Sequence, residues 1–205
     1  MLETVLEVSI AIPLPVSQVH TFMTTPDNWA AASPVTERIQ GDRTDRPVTL
    51  GASFVDVLRL GPDITAEVRW TVTRDDPGST WQITCEPAAG TDPADGHIHV
   101  TLTYSYSRAR HPLDVQHPRG SAAGTEPRAE QSVGTPAEVQ YVADATLLTR
   151  TVRTAYTGEA NLPLPYRDVF TNRTIAARFL AAMRSAMLAS DHVPTGAASR
   201  ISSAG

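Results

Sequence analysis

Apolar and polar residues alternate through ETVLEVSIAI, with Leu6, Val8, Ile10 and Ile12 on one side and Glu3, Val5, Glu7, Ser9 and Ala11 on the other. Period two marks a half-buried β-strand, because successive Cβ atoms of an extended chain point to opposite faces. Pro13 and Pro15 end that strand and the period changes. Val16, Val19, Phe22 and Met23 recur at helical spacing, with Pro15 suited to a first-turn position. A second short helix is expected over PDNWAAA, opened by Pro26, extended by alanines and stopped by Pro34.

The stretches VTERI, SFVDVLRL, ITAEVRWTVTR, TWQITCE and HIHVTLTYSYS then read as strands separated by turn chemistry such as GPD and DDPGS. Three apolar rows emerge: Ile64, Ala66, Val68, Trp70 and Val72; Trp81, Ile83 and Cys85; Ile98, Val100, Leu102, Tyr104 and Tyr106. Residues 108–137 hold prolines, glycines and charges with few large apolar side chains, so they cannot bury enough surface to fold alone, and a mobile insertion is expected. A last β-rich run, AEVQYVADATLLTRTVRTAYTG, precedes a segment in which Val169, Ala176, Leu180, Met183 and Met187 fall near helical spacing beside Ile175 and Phe179. That pattern predicts a long amphipathic C-terminal helix. One domain over 1–190 and a disordered tail over 191–205 complete the expectation.

Composition narrows the function more than the fold. A net charge of −5 and the lack of a basic stripe argue against nucleic acid or an anionic membrane as partner. No apolar run reaches the ~18 to 20 residues that span a bilayer, which argues against membrane insertion. Acids stand near the N-terminus where a secretory signal needs lysine or arginine, so a cytoplasmic protein is expected. The single Cys85 cannot form an internal disulfide. Neither a Gly-x-Ser-x-Gly elbow nor a glycine-rich phosphate loop is present.

Strand, two short helices, a run of antiparallel strands and a closing helix is the order of the helix-grip fold, an α+β architecture with a curved antiparallel sheet of about seven strands around the last helix. The stretch VSIAIPLPVSQVHTFMTTPDNWAAASPVTERI, with LGASF and WTVTRDDPGSTWQI, resembles the SRPBCC superfamily, whose members include START lipid-binding domains, the birch-pollen allergen type and the polyketide cyclase/dehydrase group. The pattern is similar in its strand, proline, valine/phenylalanine helix, Pro-Asp-x-Trp turn and acidic-Pro hairpin, and sits closest to the polyketide cyclase/dehydrase branch. The resemblance implies a cavity between sheet and helix that takes a hydrophobic small molecule: a polyketide, a lipid or an aromatic. It also implies cofactor-independent cyclisation, dehydration or isomerisation if the protein is a catalyst. A non-catalytic carrier or sensor, and a protein-interaction adaptor, stand as alternatives, and the sequence leaves oligomeric state open.

Within such a cavity, Trp29, Phe54, Leu58, Val68, Trp70, Trp81, Leu102, Tyr106, Phe179 and Met183 are the expected ligand-facing residues. Trp29 either seals one end of the cavity or is plain core. Asp56 shares a face with Phe54 and Leu58, but Val55 and Val57 make the opposite face equally apolar, so period alone allows either orientation. An inward Asp56 would meet desolvation that raises its pKa. Arg150 and Arg153 lie on opposite faces of the last strand, so one of them points inward and could hold an oxyanion. Asp56, Tyr104 and Arg150 are the catalytic candidates. No metal site is expected: His97 and His99 lack a partner at ligand spacing, and all six histidines read as surface residues. Cys85 reads as an inert buried thiol.

Overall fold

The computed structural model describes residues 2–85, 97–112, 141–157 and 164–191. Its strands are β1 (Leu2–Ile12), β2 (Thr36–Gln40), β3 (Ser53–Gly61), β4 (Ile64–Asp76), β5 (Thr80–Cys85), β6 (His97–Pro112) and β7 (Tyr141–Thr157). Helices α1 (Val16–Met23) and α2 (Asp27–Ala32) follow the first strand, and α3 (Leu164–Thr171) and α4 (Arg173–Asp191) end the described chain. All seven strands pair antiparallel in one sheet of order β1-β7-β6-β5-β4-β3-β2. The first strand therefore pairs with the last, in an unbroken ladder from Leu2↔Tyr156 to Ile12↔Thr146.

The hairpins follow from the alternation. Val68, Trp70 and Val72 on β4, Trp81, Ile83 and Cys85 on β5, and Ile98, Val100, Leu102, Tyr104 and Tyr106 on β6 are all buried. Gly78, at φ +86°, supplies the left-handed residue of the DDPGS turn. Ile64 departs from its row: it sits at the tip of the β3–β4 hairpin and is exposed. Register shifts interrupt the β2–β3, β3–β4, β4–β5 and β6–β7 ladders. Such irregularities sharpen local twist and bend, and they let the sheet curve around α4. Ala176, Phe179, Leu180, Met183 and Met187 are the buried stripe of that helix.

Two boundaries differ from the expectation. β6 runs on to Pro112, because residues 108–112 continue its ladder with β7, so the expected insertion does not begin at 108. The rest of that insertion and the tail after Asp191 lie outside the described residues. The closing helix is also two helices. Asn172 breaks it, accepting at Oδ1 the backbone N–H groups of Thr174 (2.9 Å) and Ile175 (3.3 Å) and so capping α4.

Candidate functional site

Trp29 ties α2 to the core. Its indole N–H donates to the Met23 carbonyl at 2.9 Å, and its ring meets Phe54, Trp81 and Phe179 edge-on at centroid distances of 5.6, 5.9 and 5.9 Å. Next to this aromatic cluster lies an internal cavity of about 30 Å³, walled by Trp29, Leu58, Trp70, Leu102 and Phe179 together with Asp56 and Arg150. That volume accommodates about two water-sized groups. Trp29 is thus a core residue that also forms part of this cavity's wall.

Asp56 and Arg150 reach this space from distant strands. β3 and β7 stand four positions apart in the sheet, roughly 19 Å if it were flat at ~4.8 Å per strand. Curvature and the length of the arginine side chain bring the two groups to one cavity. On β3 the inward row is Phe54, Asp56 and Leu58, which resolves the orientation that period left open; Val57 is buried too, so both faces of this stretch are covered. On β7 Leu148, Arg150, Val152 and Thr154 are buried, whereas Arg153 lies outside and pairs with Glu3 at 3.3 Å.

Electrostatics make the pair unusual. Asp56 is 4% exposed and its Oδ1 has no hydrogen-bond partner among the described residues. Burial raises its pKa from 3.8 to about 7, against the lowering influence of the nearby Thr36 and Trp70 side chains and the Arg150 charge. Arg150 is 5% exposed, its Nε is unpartnered, and it forms no ion pair among the described residues. Its guanidinium carbon sits 4.5 Å above the centroid of the Phe179 ring. The Trp70 indole N–H has no hydrogen bond of full geometry among the described residues, although it lies close enough to Asp56 to favour the carboxylate. Buried polar groups normally find partners, so this group of unmatched atoms around one cavity is chemically informative.

Tyr104 stands behind this layer. It is fully buried, does not line the cavity, and neighbours Arg150 across the β6–β7 ladder. Burial raises its pKa; Arg150 opposes that rise and Asp56 adds to it. Phe54, Val68, Trp81, Tyr106 and Met183 are also buried and are not among the residues that line the cavity. The sequence reading missed Ser33, Thr36, Val169, Phe170 and Ile175, all of which line it. Ser33 fixes the turn at its rim by accepting the Val35 and Thr36 backbone N–H groups.

His20 corrects the surface assignment. It packs on the Tyr106 ring at 5.3 Å, and its Nε2 lies 3.3 Å from Asp75, with both side chains 13% exposed. The contact forms because α1 lies across the sheet above β4 and β6, a juxtaposition that sequence spacing does not reveal. Tyr106 is buried rather than solvent-facing, and burial, Tyr104 and Asp75 raise its pKa well above the usual phenol range. Cys85 is buried, with its pKa raised by burial to about 11. His99 is exposed, whereas the side chains of His97 and His111, and the whole of His117 and His192, lie outside the described residues.

A groove of about 380 Å³ runs outside, between α1 and the end of α4, lined by residues that include Leu14, Gln18, Phe22 and Met187. Among the described residues its lining has no titratable side chain, whereas the smaller interior cavity holds both Asp56 and Arg150. Among the described residues no helix is long and apolar enough to cross a membrane, and no three His, Cys, Asp or Glu side chains gather as a metal site.

A family model described as polyketide cyclase / dehydrase and lipid transport matches residues 3–117. No curated protein matches the sequence at a significant level. Among solved structures, Ara h 8.0201 is similar at TM-score 0.54 and 12% identity, over 91% of this chain and 99% of that one. A point mutant of Thalictrum flavum norcoclaurine synthase, in complex with a transition-state analogue, is similar at TM-score 0.52 and 10% identity, over 93% and 97%. A Mesorhizobium loti protein is similar at TM-score 0.51 and 14% identity, over 92% and 99%. At such identities the structural likeness speaks for the helix-grip fold alone.

Proposed function

The chain belongs to the polyketide cyclase/dehydrase and lipid transport family, within the SRPBCC superfamily, and we propose that it binds a hydrophobic or aromatic carbonyl compound at the Asp56–Arg150 cavity and moves a proton on it. One observation carries the reading: a carboxyl group whose pKa burial raises to about 7 shares a small apolar cavity with a buried arginine that has no ion-pair partner among the described residues. A group titrating near neutrality serves as both acceptor and donor of protons.

In the proposed reaction the Asp56 carboxylate takes a proton from a carbon next to the substrate carbonyl. The C–H electron pair moves into a carbon–carbon double bond, and the carbonyl oxygen becomes an enolate oxygen held by Arg150. Protonated Asp56 then returns the proton, to another carbon for an isomerisation or to a departing hydroxyl for a dehydration. Tyr104 is the positioning residue that packs beside Arg150. The cavity holds only the reacting group, so the rest of a ligand enters by displacement of the α2–β2 connection or of Val169 and Phe170 on α3.

Lipid transport stands in the family description, so a carrier is the second reading. Tryptophan fluorescence with a panel of aromatic ketones, paired with solvent deuterium exchange at their α-carbons, separates the two. Wild-type protein is expected to bind and to catalyse exchange; Asp56→Asn should retain binding within a few-fold and lose at least ~100-fold in exchange. Binding without exchange by either protein would favour the carrier.

A further inference from the structure

An arginine buried without a counter-charge is costly, and the cost is offset when an anion arrives. Arg150 meets Phe179 on one side and faces the cavity, with its Nε unpartnered. The titratable groups facing Asp56 are Arg150 from β7 and Tyr104 from β6; β2 and β4 contribute Thr36 and Trp70. Helices α2, α3 and α4 present Trp29, Val169, Phe170, Ile175 and Phe179 to the cavity, while Asp168 and Arg173 on α3 and α4 are exposed. Among the described residues, the charged inventory of the cavity is therefore one fixed cation and one carboxyl group.

We propose that the site also takes an apolar carboxylic acid, whose carboxylate seats on the Arg150 guanidinium and shares a proton with the Asp56 carboxyl, while its body enters, like the rest of any ligand, where the α2–β2 connection or Val169 and Phe170 give way. This rests on the reading of the cavity as the ligand site. A volume of about 30 Å³ suits a carboxylate, and a planar guanidinium matches its two oxygens. Two adjacent carboxyl groups cannot both stay ionised, so the pair keeps one proton and one negative charge, which Arg150 neutralises. A phosphate dianion would bring a second charge for which the described wall has no further cation. The bound state, protonated Asp56 with an anion on Arg150, has the charge distribution of the enolate intermediate above.

Proton sharing sets the pH dependence. Free Asp56 ionises near pH 7, and a neighbouring carboxylate raises that value further, so binding takes up a proton above pH 7 and affinity falls as pH rises. The test uses isothermal titration of 2-naphthoate and its neutral isostere 2-naphthamide, at about pH 7 and about pH 9. The acid is expected to bind wild-type protein at least ~10-fold more tightly than the amide at the lower pH. That preference should shrink at the higher pH, while the amide stays level. Arg150→Gln should abolish the preference, and Asp56→Asn should remove its pH dependence. Equal binding of acid and amide would overturn the carboxylate proposal and leave the cavity reading intact; binding of neither would overturn both. A preference for the acid that does not change with pH would overturn the shared proton. If Arg150→Gln fails to fold, the wild-type acid-to-amide ratio and its pH response decide alone.

Discussion

At the scale of single residues, Asp56 couples stability to pH. Its folded pKa of about 7 lies above the ordinary 3.8, so the folded protein binds the extra proton. The stability this contributes is fully present below about pH 4 and is lost as pH rises through 7. Raising a carboxyl group from 3.8 to about 7 corresponds to about 4 kcal/mol as an upper figure. Urea unfolding of wild type and Asp56→Asn at several pH values isolates this group from the other carboxylates. Wild type should lose a few kcal/mol relative to the variant between pH 4 and 8, and parallel curves would mean that Asp56 is solvated. Tyr104→Phe should leave stability within ~1 kcal/mol of wild type, because among the described residues the hydroxyl it removes makes no hydrogen bond of full geometry and only approaches Arg150. Asp56 and Arg150 were legible as candidates from alternation, but their orientation was not. Val57 is as buried as Asp56, and Arg150 and Arg153 differ only in which face the register assigns them.

At the scale of elements, the break at Asn172 was hidden by the pattern itself. Val169 and Ala176 are seven residues apart, two helical turns, so the apolar stripe reads continuously across a cap that divides two helices. Asn172→Ala leaves two N–H groups at the start of α4 without their side-chain acceptor and should cost about 1 kcal/mol in thermal unfolding. Trp29, by contrast, was legible as a large aromatic in a short helix, though its two roles were not separable. Trp29→Ala should cost about 3–5 kcal/mol, since it empties the centre of the aromatic cluster. A loss below ~1 kcal/mol would show that the cluster does not hold α2.

At the scale of the molecule, the seven strands could be read from local period and turn chemistry, whereas the closure of β1 onto β7 could not, because that pairing joins distant parts of the sequence. This closure and the curvature of the sheet create the site, placing residues from β3 and β7 in one cavity with rings from α2 and α4. His20 and Asp75 were missed for the same reason, since their contact depends on how α1 lies on the sheet. The proposed proton transfer depends on an aspartate held in an apolar interior beside an arginine that has no ion pair among the described residues, so that its proton moves near neutral pH. Carbon-13 NMR titration of the Asp56 side-chain carboxyl, assigned by comparison with Asp56→Asn, reads that proton at the atom that carries it. A midpoint near pH 7 is expected, and a midpoint near pH 4 would contradict the buried, proton-exchanging carboxyl on which the proposed function stands.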